Sequence, residues 1–117
     1  MVKTENELGT ISISNDVFTY IAGDAATNCF GVKGMAGRSK DSNFVQLLRR
    51  DSMSKGVFVS FGNNNDISIE LHIVVDHGVN LVALGESIIG EVSYKVSNAT
   101  GVPVTSVDIY VDSMVLD

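Results

Sequence analysis

The chain has 117 residues, 44% of them apolar and 19% charged, with a formal net charge of −6. A chain of that length makes one domain that buries about two-thirds of the surface its unfolded form would expose, and the composition excludes wholesale disorder. A single cysteine excludes an internal disulfide, and no apolar run approaches the ~20 residues that span a bilayer, so direct membrane insertion is not expected.

The opening "MVKTENELG" is polar and lacks the apolar core of a secretion signal, which places the expected location in the cytoplasm; residues 1–8 are expected to be flexible. "GTISIS" alternates Ile11 and Ile13 with polar residues and predicts a first strand. Ser14 is positioned to cap a following helix, with Asp16 in the first turn where the helix dipole favours an acid. Val17, Phe18, Ile21, Ala22, Ala25 and Cys29 recur at helical spacing, and Gly31 ends the helix. Cys29, among those apolar positions, reads as a buried thiol.

"GVKGMAG" predicts a tight strand or loop, and "DSNFVQLLRR" a short helix with Phe44, Leu47 and Leu48 on one side. "KGVFVSF" and "ISIELHIVV" alternate and are joined by "GNNND", a hairpin signal because Gly and Asn tolerate positive φ. In the second strand Ile67, Ile69, Leu71, Ile73 and Val75 face one way, and Ser68, Glu70, His72, Val74 and Asp76 the other. Asn80 then caps a long helix to about Ala99, with a stripe of Leu81, Leu84, Ile88, Ile89, Val92 and Val96. Gly85 and Gly90 within it suggest close helix packing. "TGVPVTSVDIYV" turns into a last strand with Val107, Ile109 and Val111 inward. This order predicts one α+β domain over 1–117: a two-layer sandwich, its mostly antiparallel or mixed sheet covered on one face by two main helices.

Charge is unevenly placed. Lys33, Arg38, Lys40, Arg49, Arg50 and Lys55 stand against only Asp41 and Asp51, so that segment carries +4 and leaves −10 on the remainder. A basic patch on an acidic molecule can attract a second copy or another anionic surface, which makes these six residues candidates for self-association or partner contact.

Three kinds of chemistry compete for the remaining residues. Glu70, His72, Asp76 and His77 could form a metal site or a metal-dependent catalytic centre, since same-face neighbours on a strand lie about 6.6 Å apart, yet a zinc enzyme needs three convergent ligands. "GVKG" and "GMAG" fit the glycine-x-x-glycine pattern of some RNA-binding loops, but the chain is acidic and short of aromatics for base stacking, so nucleic acid is not the expected partner. No serine sits in a strand–turn–helix elbow, and no cofactor is expected.

"GTISISNDVFTYIAGDAATNCFGVKGMAG", "SKGVFVSF", "ISIELHIVVDHGVN" and "NATGVPVTSVDIYV" together resemble the alkaline-shock protein family of Gram-positive bacteria, from Gly9 to about Val115. The most specific parts are Ile21-Ala22-Gly23, the glycines at 31, 34 and 37, the run Ile73 to Val75 followed by Gly78-Val79-Asn80, and Thr100-Gly101. In that family the position before Gly78 is commonly tyrosine and here is His77, which argues against an obligatory metal ligand. The resemblance implies a non-enzymatic, cytoplasmic stress-response protein of cell-envelope homeostasis. Some members self-associate and gather beneath the membrane through a membrane-anchored partner. A chain ending soon after its last strand resembles the compact members, and the resemblance brings no active site to carry over.

Overall fold

The computed structural model describes residues 1–38, 45–48 and 55–116, with the side chains of Arg38, Val45 and Gln46 excepted. The elements run β1 (Val2–Asn6), β2 (Gly9–Ile13), α1 (Asn15–Thr27), β3 (Val32–Arg38), β4 (Val45–Leu47), β5 (Val57–Phe61), β6 (Ile67–Asp76), α2 (Leu81–Thr100) and β7 (Val104–Val115).

β6 organises the sheet. β7 lies parallel to it along its whole length, from Ile67 opposite Val104 to Asp76 opposite Val115. The other edge is shared by two antiparallel strands: β5 pairs with Ile67 to Leu71, and β3 with Ile73 to Val75. β4 extends the sheet beyond β3. The parallel pair requires a crossover, and α2 supplies it. The sheet is therefore mixed, and the α+β architecture matches the expectation from sequence.

The alternation in β6 is realised: Ile67, Ile69, Leu71, Ile73 and Val75 are all buried under the helices. From α2 they meet Leu84, Ile88, Val92 and Val96, and from α1 Phe18, Ala22, Ala25 and Ala26. Burying each large aliphatic or aromatic side chain contributes about 1.5–3 kcal/mol, so this stripe is the main source of cohesion between the layers. α2 starts where expected: the Asn80 side chain accepts a hydrogen bond from the Ala83 N–H at 3.0 Å, and Gly101 closes the helix in the left-handed region at φ 73.

Several local expectations are corrected. Residues 1–8, not assigned a strand from sequence, contain β1, which pairs antiparallel with β2 and buries Val2 in the core. Ser14 flanks α1 in extended conformation but makes no side-chain cap bond, and α1 ends at Thr27 rather than near Gly31. Val17 faces solvent, because the buried stripe of α1 is centred on Phe18, Ala22 and Ala26. The glycine-rich stretch is strand β3. Its missing side chains admit leucines, since a Cβ at Gly34 would lie 2.7 Å from Leu47 Cδ1 and one at Gly37 2.6 Å from Leu48 Cδ2. Where a helix was expected, Val45–Leu47 form strand β4; Phe44 lies outside the described residues.

Gly85 and Gly90 are not packing glycines, for nothing lies within 4 Å of a Cβ built at either. Leu81, Ile89 and Val111, assigned to the buried side, are 42%, 40% and 40% exposed. They stand where the apolar layer runs out to solvent beside β7.

Candidate functional site

The helices cover only one face of the sheet. On the open face, β5 contributes Phe58 and Ser60, β6 Ser68, Glu70 and His72, and β7 Asp108, Tyr110 and Asp112. Register brings them together: Phe58 is opposite Glu70, Glu70 opposite Asp108, and His72 opposite Tyr110. Alternation puts Asp108, Tyr110 and Asp112 on this one face, two residues apart. The pairing shifts between Ile73 and Val74, where β7 advances from Val111 to Ser113, so Asp112 is an extra residue in the ladder. Such a bulge bends the strand locally, beside the imidazole that Asp112 contacts.

His72 is held from every side. Its Nδ1–H donates to Asp112 Oδ2 at 2.8 Å and its Nε2–H donates to Glu70 Oε2 at 2.7 Å. The ring stacks on Tyr110 with centroids 4.8 Å apart, and Phe58 meets it edge-on at 5.5 Å. Burial pulls the imidazole toward its neutral form, but the hydrogen bonds and charges of Glu70 and Asp112 outweigh this and raise its pKa above the ordinary value. With both nitrogens donating to carboxylates, the arrangement favours the imidazolium. Lys55 stands at the rim of the same shallow depression of about 210 Å³, with Ala36, Gly37 and Phe58.

This geometry limits the chemistry. A general base needs a free lone pair, and both ring nitrogens of His72 are engaged. Glu70 and Asp112 grip opposite nitrogens, so their oxygens do not converge on one ion. Among the described residues no group of three or more His, Cys, Asp or Glu side chains could hold a metal.

Of the four residues weighed as a metal site, the fold joins Glu70 and His72 and leaves the others apart. Asp76 ends β6, its N–H donating to the Gly31 carbonyl at 2.9 Å, and His77 lies exposed in the turn, its N–H donating to the Val115 carbonyl at 3.1 Å. Of the basic candidates, Lys33 and Lys55 are exposed, Arg38 lies in β3, and Lys40, Arg49 and Arg50 fall outside the described residues. Cys29 is buried, and burial, with Glu91 nearby, pushes its thiol up, away from the reactive thiolate.

Sequence reasoning did not find Asp112, Tyr110 or Phe58 as partners of His72. The inward reading of Val107, Ile109 and Val111 already turned residues 108, 110 and 112 outward. Their placement beside β6 depends on a parallel pairing that no local pattern announces.

Comparison with other proteins now gives this arrangement a family. The profile of the alkaline-shock protein 23 family, described by a cell envelope-related function, matches residues 3–116, and the chain belongs to that family. It is 32% identical over 114 residues to the uncharacterized protein YloU of Bacillus subtilis, covering 97% of this chain and 94% of that one. To the uncharacterized protein Spy1614 of Streptococcus pyogenes it is 34% identical over 115 residues, covering 97% and 93%. To the uncharacterized protein YqhY of Bacillus subtilis it is 26% identical over 113 residues, covering 97% and 82%. No solved structure matches the chain. No helix among the described residues is long and apolar enough to cross a membrane.

Proposed function

We propose that this protein serves cell-envelope homeostasis from the cytoplasm by self-association and by binding a membrane-anchored partner, without turning over a substrate. The observation that carries this reading is the state of the His72 cluster. The side chains best suited to acid–base or metal chemistry are locked to one another, while the rings around them, Phe58 at 55% and Tyr110 at 47% exposure, face solvent. Exposed aromatics flanked by carboxylates make a contact surface. The segment from Lys33 to Lys55, with its charge of +4, complements that acidic face in a second copy or in a partner.

Sedimentation of the full chain at increasing salt tests the self-association. Assemblies at low salt that dissociate as salt is raised are expected, and Arg49→Glu with Arg50→Glu weakens them without unfolding the domain. A monomer at low salt and high concentration overturns that part of the reading. For the partner, recovery of an integral membrane protein with the chain from the membrane fraction is expected. Elemental analysis showing stoichiometric metal, lost in His72→Ala, would instead favour a metal-dependent activity.

A further inference from the structure

β7 leaves one edge of the sheet open. Among the described residues its only strand partner is β6, so the outer edge from Val104 to Val115 offers unpaired backbone donors and acceptors. Soluble proteins usually blunt such an edge with lysine, proline, a bulge or a very short strand. β7 spans 12 residues, contains neither lysine nor proline, and has register shifts near its start and at Asp112 that leave Ser106 to Val111 regularly paired between them. Its charged residues are Asp108 and Asp112 alone.

Beside this edge the helical layer has a mostly apolar gap. A depression of about 330 Å³ there is lined by aliphatic side chains of α2 and β7, Val82, Ile89, Val107 and Val111 among them, together with Glu86 and Asp108. Val82 is 73% exposed, and Gly85 widens the gap because it carries no side chain and nothing stands where one would be. The two faces of the edge thus differ: mostly apolar toward α2, acidic toward the open sheet.

We infer that β7 is a strand-addition site for an extended segment of a partner protein in which apolar and basic residues alternate. In a strand, successive side chains point to opposite faces. A segment paired with β7 therefore sends every second residue into the gap beside α2 and the others toward Asp108 and the exposed Tyr110 ring. Aliphatic residues suit the first set, and lysine or arginine the second. Main-chain bonds would supply affinity and the two rows of side chains specificity. A second copy fits less well, because its β7 brings aspartates and no basic residue to pair with Asp108. The inference rests on the reading that the protein acts by binding macromolecules, but it does not require self-association.

The test uses the full chain and an acetylated, amidated heptapeptide of alternating valine and lysine. Amide hydrogen exchange should slow about tenfold or more in residues 104–115 when the peptide is added, with little change in β5. Gly85→Leu, which fills the gap, and Asp108→Lys, which reverses the charge, should each weaken binding about tenfold while thermal unfolding stays near that of the parent. Peptides with glutamate in place of lysine, or methylated on alternate backbone nitrogens, should not bind. Equal binding of the methylated peptide, protection elsewhere, or no binding overturns the proposal. So does protection of 104–115 that rises with protein concentration alone, which would make a second copy the occupant. Salt-dependent sedimentation reports on self-association separately, so a monomer that still binds the peptide at β7 refutes that reading and leaves this one standing.

Discussion

The imidazole of His72 lies nearly flat on the Tyr110 ring, with centroids 4.8 Å apart and planes 10° from parallel. The two residues are directly opposite across the parallel pair of β6 and β7, and Asp112 accepts the hydrogen bond from Nδ1–H of the same imidazole. A cation over an aromatic face is stabilised by the ring quadrupole, so the stack and the two carboxylates favour the same protonation state.

That shared preference makes stability depend on pH. The folded pKa of His72 is raised above the unfolded value of about 6.5, so the fold binds the proton more tightly than the unfolded chain. The stabilisation is fully present below about pH 6.5 and is lost as pH rises through the folded pKa. Denaturant unfolding across pH 5 to 9 should show this decline in the parent and its absence in His72→Phe, with the His72 titration followed by proton NMR. A His72 pKa below the ordinary value would refute the assignment.

Removing Asp112 should damage the same cluster from the β7 side. Asp112→Ala leaves one N–H of a largely enclosed imidazole without its acceptor, which costs about 1–3 kcal/mol at pH 6. His72 should then titrate lower than in the parent. Unchanged stability and an unchanged titration would show that Asp112 stands beside the imidazole without consequence.

The glycines should divide into two classes. Gly56→Ala puts a Cβ 2.8 Å from the Ala36 carbonyl oxygen and 3.0 Å from Met35 Cβ, at the junction where β5 and β3 succeed each other along β6. Backbone must move, and a loss of about 1–3 kcal/mol is expected. Gly90→Ala meets nothing within 4 Å and removes a flexible residue from a helix interior, so it should stabilise by about 0.5–1 kcal/mol. Thermal unfolding of both variants checks the opposite signs.

Asn80→Ala should cost about 1 kcal/mol, because the Ala83 N–H loses its side-chain acceptor at the first turn of α2. Asn80→Asp keeps an acceptor there and adds a charge that the helix dipole favours, so its stability should equal or exceed that of the parent. A loss as large as that of alanine would assign the effect to something other than capping.

Where side chains alternate or recur with a clear period, the fold was legible. β6 announced itself by five aliphatic residues at every second position, and α2 by Leu84, Ile88, Val92 and Val96 behind an asparagine cap. β3 was obscured because Gly34 and Gly37 have no side chains to show a period, and what they accommodate, Leu47 and Leu48, comes from another part of the chain. β1 was missed because only Val2 faces the core and the rest of the strand is polar. In the cluster, Glu70 and His72 were visible as same-face neighbours. Asp112 was not, since its place beside His72 depends on a long-range parallel pairing. Local patterns report which residues are apolar on one side; they carry no information about which distant strand supplies the neighbour.

The parallel joining of β6 to β7 through α2 also sets an order of events during synthesis. β5 can zip onto β6 as soon as their short connection closes, but the opposite edge of β6 stays bare until residues from Val104 onward have left the ribosome. For that interval ten residues, six of them aliphatic, present open backbone on a nascent chain. Parallel pairings of distant segments form slowly and leave strand edges open to misassociation. Chain arrest before Val104 is therefore expected to yield an aggregating species, since the helices cover a face of β6 and not that edge.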